Sequence, residues 1–516
     1  MAELRTKVKS LMRFVFSRLV VTGVLLLLQA VWLFILFNKL AEYAGWINVV
    51  GVVISVVMCA ALIRKDSTVP EFKISWLALF ILMPVQGGLL YLWWGDHRPA
   101  LRLRRKLARA ALRIRPLRTP EPADHARLAA ADPRAAATAA YLENYGGFPV
   151  YGDTRVTYYP SGEEMFPAML EAMEKAERYI FVEFFIISQG RMWDTVHELL
   201  RRKAAAGVDV RLIYDDTGCV TGLPVRYWRK LEAEGIRALS FNPFVPMINL
   251  VMNNRDHRKI LVVDGEVAFT GGINLADEYI NQTVKYGHWK DFGLELHGPA
   301  VENYTRMFTE FWNAFSNEPL PAPEPVRYEP VTRPDGYVLS YYDSPLRRTA
   351  ASNELYIELL SQAREYAYFY TPYLMLGDAL QEAFVRAARR GVDVRIIMPG
   401  IPDKKLVFRM SRSFYPALLQ AGVKIYEYIP GFVHAKGCVV DGVVGTVGTV
   451  NLDYRSLFLH FENNALFYKA SVLEELHRDF LATQRQCRDM VLGENVRVSL
   501  GSFLLDGVLR ILSPLC

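Results

Sequence analysis

Apolar positions fall into two regimes along this chain. Over the first hundred residues they form unbroken runs at 19–37, 44–63 and 74–95, none of which contains a charged residue. Each is close to the ~20 apolar residues that span a bilayer as a helix. No polar face alternates with them, which argues against buried core helices. A cleaved leader is a poor fit, because the first run is long, lacks a small-residue cleavage site and is followed by two more. The third run contains Pro84 and Gly87–Gly88. It is therefore expected to dip into the membrane and return, its backbone shielded by the first two helices.

Beyond about residue 140 the pattern changes to short strands and amphipathic helices. "RYIFVEFFII" (178–187) is aromatic and β-branched and predicts a buried strand. "DTVHELLRRKAAAGVDVRLIYDD" (194–216) predicts a helix, a glycine stop and a further strand. The later half replays this order with "EYAYFYTPYLM" (365–375) and "LQEAFVRAARRGVDVRIIMPG" (380–400), and "GVDVR" starts at both Gly207 and Gly391. Between the halves, 316–336 carries six prolines, which excludes a regular element. The expected organisation is a membrane anchor at 1–96, a basic, Ala- and Pro-rich linker at 97–140, one α/β repeat at 141–315, the Pro-rich connection at 316–336 and a second repeat at 337–516. The fold class is α/β: mixed sheets flanked by helices, duplicated about a pseudo-twofold axis and preceded by an α-helical anchor. The closing apolar segment, 502–516, suits either the membrane interface or a helix closing the core.

Charge placement adds a topology. Arg5, Lys7, Lys9, Arg13 and Arg18 precede the first run, Arg64, Lys65 and Lys73 flank the second loop, and 97–118 holds nine Lys or Arg. The positive-inside rule then places the N-terminus, the second loop and everything after residue 97 on the cytoplasmic side of a multi-pass protein. The basic stretch suits anionic lipid, each charge contributing about 1 kcal/mol near such a surface. It lacks the interleaved aromatics of a nucleic-acid site, so no nucleic-acid partner is expected. At 516 residues and 52% hydrophobic, the chain has ample length for several cores, and its net charge is a modest +6. The five cysteines form no Cys-x-x-Cys pair, which points to a reducing compartment and away from a structural zinc site.

The chemistry-bearing residues occur inside the repeat. Residues 256–274 read "DHRKILVVDGEVAFTGGIN" and 433–451 read "VHAKGCVVDGVVGTVGTVN". Both copies space His, Lys, Asp and Asn identically: His257, Lys259, Asp264, Asn274 and His434, Lys436, Asp441, Asn451. Five fixed positions recur by chance about once in 10^6 starts or fewer. Each apolar run into Asp-Gly predicts a strand, a turn and a returning strand, so Asp264 and Asp441 either act directly or hold the turn. A two-residue period puts His and Lys of each copy on one face. Two such faces related by a pseudo-twofold axis bring four side chains to one site. That set suits a phosphodiester: one neutral imidazole attacks phosphorus, the other protonates the departing alcohol, and Lys259, Lys436, Asn274 and Asn451 hold the non-bridging oxygens. No carboxylate or histidine cluster has metal-ligand spacing, so no metal and no cofactor is expected.

These motifs resemble the phospholipase D superfamily, whose pattern is His-x-Lys-x4-Asp followed by Gly-Ser/Gly-x-Asn, usually twice per chain. The serine often found there is Gly272 in one copy and Thr449 in the other. Within the superfamily the match is most similar to bacterial cardiolipin synthases. It extends over the apolar N-terminus, "YGHWKDF" (286–292), "PGIPDKKLV" (399–407) and "VKIYEYIPGFVHAK" (423–436). The resemblance implies a covalent phosphohistidine, with His257 as nucleophile and His434 as acid and then base, although the symmetry permits the reverse. It also implies phosphatidylglycerol as substrate, anionic lipid as surroundings and the bacterial cytoplasmic membrane as location, and a homo-oligomer is compatible with it. Each imidazole needs an acceptor to fix its tautomer. Asp291 and Glu462, 34 and 28 residues after the histidines of their own halves, are the expected orienting carboxylates. Three enzymes compete: phosphatidyl transfer between two phosphatidylglycerols giving cardiolipin and glycerol, a hydrolase releasing phosphatidic acid, and a nuclease of the same superfamily. A non-catalytic scaffold would need neither His-Lys pair.

Overall fold

The computed structural model describes residues 44–515 except 66–69, 92–97, 115–121, 244–253, most of 322–334, 348 and 497–499, together with isolated positions between 27 and 35. Most of the first apolar run and the basic residues before it lie outside the described residues. The chain forms two compact units, one of residues 1–100 with 242–254, the other of 101–241 with 255–514.

In the first unit, the helix Ala44–Ile63 buries Met58 and Leu62 with Trp76 and Phe80 of the helix Pro70–Leu82. The third run is broken at Met83, because Pro84 cannot continue the preceding helix and instead starts the short helix Pro84–Leu90. Gly87 and Gly88 do not take part in the break, contrary to expectation. They lie inside the short helix, and a Cβ on Gly87 would come within 2.7 Å of the Leu79 carbonyl. These glycines serve close helix packing. Among the described residues no helix is long and apolar enough to cross a membrane, the side chains of Ala44–Ile63 being described only from Val49 on.

The expected linker is largely helical: Arg98–Arg113, Pro122–Ala131 and Pro133–Gly146. Its alanines are strong helix formers, and Pro99, Pro122 and Pro133 fall at first-turn positions where no backbone donor is missed. Asp132 caps the last of these helices by accepting the N–H groups of Arg134 and Ala135, and Gly147 ends it at a left-handed φ of 69°.

The second unit carries the repeat. Its first sheet contains β1 (Arg155–Tyr159), β2 (Tyr179–Phe184), β3 (Asp209–Asp215), β4 (Arg237–Phe241), β5 (Lys259–Val263), β6 (Val267–Gly271) and, beyond a short β7 (His288–Lys290), β8 (Gly293–His297). The second sheet contains β9 (Tyr337–Asp343), β10 (Tyr366–Tyr370), β11 (Asp393–Pro399), β12 (Lys424–Tyr428) and, beyond a short β13 (Gly431–Val433), β14 (Gly437–Val440), β15 (Val444–Gly448), β16 (Glu462–Tyr468) and β17 (Cys487–Met490). The strand orders are β1-β8-β6-β5-β2-β3-β4 and β9-β16-β15-β14-β10-β11-β12-β17. Reading one against the other, every strand of the first sheet has its counterpart, and β17 is an added edge. Both sheets are mixed: β2, β3 and β4 run parallel, as do β10, β11 and β12, while β5 and β14 join antiparallel.

Helices cover the sheets where the sequence period demands. Arg191–Ala205 buries Met192, Trp193, Val196, Leu199 and Leu200, one face of a 3.6-residue helix. Gly207 and Gly391 follow such helices at φ of 94° and 91°, the left-handed stop that glycine adopts most readily. The helix Val301–Phe315 is buried on nearly all sides. It packs on β5 of its own half and on β9 of the other, and Val472–Gln484 reciprocates by packing on β14 and β1. Backbone seams join the halves: β13 runs parallel to β7 with Phe432 opposite Trp289, Asp256 bridges Phe461, and Tyr151 bridges Val338. The first two lie immediately before the motif histidines.

Candidate active site

The seams place the histidines. The N–H of His257 donates to the Phe461 carbonyl at 2.9 Å, and that of His434 to the Lys290 carbonyl at 2.8 Å. Each histidine thus hangs from the opposite half, one residue from a carboxylate of that half. His257 Nδ1 lies 2.9 Å from both oxygens of Glu462, and His434 Nδ1 lies 2.7 Å from Asp291 Oδ2. The expectation that each carboxylate serves the histidine of its own half is corrected: the partners are exchanged. The physical reason is that a seam strand brings the neighbouring half's chain closer to each imidazole than its own. A carboxylate at Nδ1 assigns the proton there and leaves Nε2 with the lone pair.

The rest of each pair follows from strand geometry. Lys259 and Lys436 reach back to the carbonyls of His257 and His434. The Lys259 N–H donates to Asn463 Oδ1 at 3.1 Å, a further cross-half bond, and Asn463 donates to Thr270. Both imidazoles, both lysines and both carboxylates are buried. Burial drives the His257 and His434 imidazoles well below their usual value. For His257 it outweighs the pull of Glu462, and for His434 it is reinforced by Lys436 and then by Lys259 of the other half. Burial also brings Lys259 down to about 8 and Lys436 to about 7. The mutual influence of Lys259, Lys436 and His434 marks one shared site rather than two.

The two carboxylates differ. Burial pushes Asp291 up to about 6, against the charge of Lys436 and the N–H of Phe292. Burial pushes on Glu462 too, but the hydrogen bond it accepts from His257 holds it well below the carboxylate range. Thr449 Oγ1 donates to Glu462, while its counterpart Gly272 offers nothing. A Cβ at Gly272 would lie 2.1 Å from Asp291 Oδ1, so the carboxylate occupies the space a side chain would take.

Of the two roles open to Asp264 and Asp441, direct action or holding the turn, their hydrogen bonds show the second. Each sits at the far end of its strand, seven residues from the histidine, roughly 20 Å along an extended chain. Asp264, at a left-handed φ of 54°, accepts the N–H groups of Glu177, Arg178 and Tyr179. Asp441, at 52°, accepts those of Arg364, Glu365 and Tyr366. They pin the entry of β2 and β10. Asn274 and Asn451 also differ from the expected pair of phosphate holders. Asn274 is bound at both ends, accepting the Ile186 N–H and donating to Tyr279 Oη at 2.7 Å. Asn451 donates to Asp453 at 3.3 Å and leaves its buried Oδ1 without a partner.

Aromatic rings line the imidazoles: Phe185 at 4.8 Å from His257, and Tyr279 and Trp289 at 5.2 and 5.5 Å from His434. His460 lies 5.6 Å from His257, occupying by repeat the place of Trp289. Sequence reasoning missed it, although it stands two residues before Glu462 as Trp289 stands two before Asp291. Among the described residues, His257, His460 and Glu462 could hold a metal ion, their donor atoms lying within 4.8 Å of one another. Glu462 is already engaged by His257 and Thr449. Four cysteines, Cys59, Cys219, Cys438 and Cys487, are free thiols, and none belongs to this set.

Comparison with known proteins follows the repeat. A family model described as "cardiolipin synthase, PLD-like domain" matches residues 169–312 and 356–483. An uncharacterized protein of Streptococcus mutans is 40% identical over 86% of this chain and 96% of its own length. A cardiolipin synthase of Geobacillus thermodenitrificans is 33% identical over 89% of this chain and 92% of its own. Among solved structures, the phosphatidylserine synthase of Haemophilus influenzae superposes with a TM-score of 0.55 at 14% identity, covering 74% of this chain and 99% of that one. At that identity the likeness bears on the fold alone.

Proposed function

The chain belongs to the cardiolipin synthase, PLD-like family, and from that premise we propose that it transfers a phosphatidyl group between two phosphatidylglycerol molecules, giving cardiolipin and glycerol. The observation that carries this is the exchange of carboxylates, which commits one imidazole from each half to a single buried site.

In the first half-reaction, His257 Nε2 attacks phosphorus and forms the P–N bond as the P–O bond to glycerol breaks, and His434, having taken up a proton on Nε2 as the anionic substrate enters, gives that proton to the departing oxygen and is left neutral. Lys259 and Lys436 stabilise charge building on the non-bridging oxygens. In the second, a hydroxyl of another phosphatidylglycerol forms a P–O bond as the P–N bond breaks, and its proton passes to His434. The assignment of His257 as nucleophile is favoured by Glu462, which stays ionised and so stabilises the cationic phosphorylated imidazole better than Asp291 would.

A membrane location accords with the surface. Val49, Val52, Val53, Val56 and Val57 of Ala44–Ile63 are exposed, an apolar face that hydrocarbon would cover. That helix has 20 residues, about 30 Å of rise. We place the protein in the bacterial cytoplasmic membrane with the catalytic unit on the cytoplasmic side.

The test is purified protein in phosphatidylglycerol vesicles without divalent cations, with lipids and glycerol both quantified. Cardiolipin and glycerol in equal amounts are expected. Phosphatidic acid as the main product would replace transfer with hydrolysis.

A further inference from the structure

Asp291 stands between two residues whose side chains are tied to the other half, and the phosphoryl chemistry uses neither. On one side, Lys290 Nζ donates to Asp479 Oδ1 at 2.6 Å and to the Pro160 carbonyl at 2.7 Å. Asp479 belongs to the helix Val472–Gln484 of the second half, and the side chains of this ion pair are only 10% and 12% exposed. On the other side, the Phe292 ring lies 5.6 Å from that of Tyr158 and 5.4 Å from that of Tyr370. Those two tyrosines, from β1 and β10, both donate to Asp479 Oδ2, at 3.0 and 2.9 Å. One carboxylate therefore gathers both flanks of Asp291, giving one oxygen to the lysine and the other to the two phenols.

A largely buried ion pair contributes little net stability over apolar residues of the same shape, because desolvation offsets the attraction. This pair does something apolar residues could not: it puts a cation on the chain next to a carboxylate that the reaction needs ionised. The other half has no such neighbour. The residue before Glu462 is Phe461, whose ring packs 5.1 Å from Phe311 and 5.7 Å from Phe241. Glu462 is held ionised by the hydrogen bond it accepts from His257, whereas burial pushes Asp291 up to about 6. Around Asp291 stand His434 at 2.7 Å, the cations Lys436, Lys259 and Lys290, which favour its ionised form, and the neutral phenols of Tyr158 and Tyr279. Lys436 and Lys259 also serve the phosphoryl group, while Lys290 is turned away to Asp479.

We propose that Lys290 and Asp479 are positioning residues for the acid–base half of the site, a strut between the halves that fixes Asp291 behind His434 and sets the charge beside it. This rests on the phosphatidyl-transfer reading, in which His434 is the acid and then the base. Lys290 supplies positive charge to Asp291 and Asp479 tempers it, while the bond from the His434 N–H to the Lys290 carbonyl ties the imidazole to the same anchor. Both side chains act through Asp291 rather than on phosphorus.

The experiment is the pH profile of cardiolipin formation by the full-length protein in phosphatidylglycerol vesicles, taken at low surface lipid concentration between about pH 5 and 9. Lys290→Met removes the cation beside Asp291, so the acidic limb is expected to move upward by about half a pH unit or more. Asp479→Asn keeps the shape and an acceptor but removes the anion and leaves the Lys290 charge unopposed, so the same limb is expected to move downward. With both changes together the limb should return towards that of the parent. A thermal melt shows that each variant is folded. A purely structural pair would lower the rate at every pH and leave the limb in place, and that result in the folded variants overturns the strut while leaving phosphatidyl transfer intact. Any other pair of directions overturns it as well. So does loss of all activity in a folded variant, because the residue would then belong to the chemistry, and so does unfolding of both single variants, because the pair would then serve the fold alone. Absence of cardiolipin at every pH from the parent overturns the transfer reading and the strut with it.

Discussion

Two kinds of aspartate and glutamate meet in this chain, and their substitutions should separate cleanly. Asp264→Ala leaves three backbone N–H groups without an acceptor, an expected loss of about 2–3 kcal/mol in urea unfolding, with kcat of the folded protein within about tenfold. Asp291→Asn and Glu462→Gln should do the reverse. They keep the shape and stability but disturb the tautomer of the opposite imidazole, and kcat should fall by about 10^3–10^4. The pH profile follows from the same groups. Below about 6, Asp291 takes up a proton and loses the negative charge that orients and supports the His434 imidazole; above about 7 to 8, Lys436 and then Lys259 lose the charge that holds phosphate. A bell-shaped kcat/KM between those limits is expected, and Lys436→Arg should carry its alkaline limb upward, because a guanidinium stays charged. The spacing of His257, Lys259, His434 and Lys436 was legible in the sequence. The pairing of the carboxylates was not, since Asp291 and Glu462 each stand far nearer in sequence to the histidine of their own half, and only the seams bring them to the opposite one.

At the scale of elements, the glycine stops, the strand–helix–strand order and the break at Pro84 could be read directly, because each rests on local backbone chemistry. The stretch at 122–146 could not: alanine and proline together suggest a linker until each proline is seen to fall at a first-turn position. The C-terminal helix Leu500–Leu512 was left open between interface and core, and it has features of both. Leu509 is buried and Arg510 donates to the Ser413 carbonyl, so one side docks on the helix Lys405–Arg412. Leu504, Leu505, Val508 and Ile511 are exposed, as is Leu406 next to Lys404 and Lys405. Apolar side chains beside basic ones suit an anionic lipid surface. Leu504→Glu with Val508→Glu should weaken sedimentation with anionic vesicles by about tenfold or more, at about 1 kcal/mol or more per side chain withdrawn from lipid. An unchanged sedimentation curve would remove this helix from the membrane contact.

At the scale of the whole molecule, the two sheets have matching strand orders, and Val301–Phe315 and Val472–Gln484 each pack across onto the first strand of the other half. The duplication was visible in "GVDVR" and the two motifs, whereas this crossing of helices and seams has no mark in the sequence. Covalent continuity through 316–336 should therefore be dispensable once the protein has folded. A protease site placed within 329–334 and cut after purification is expected to leave the halves associated in gel filtration and the activity undiminished.

The traded carboxylates have one more consequence. A lone half presents an imidazole with no acid behind it and an acid with no imidazole before it, so it is complete only against a second copy. Two identical copies would complete each other twice over and would be bound to remain alike. Joined in one chain, they are free to grow apart, and they have: glycine faces threonine across the dyad at 272 and 449, tryptophan faces histidine at 289 and 460, and the two phosphoryl steps need no longer be mirror images.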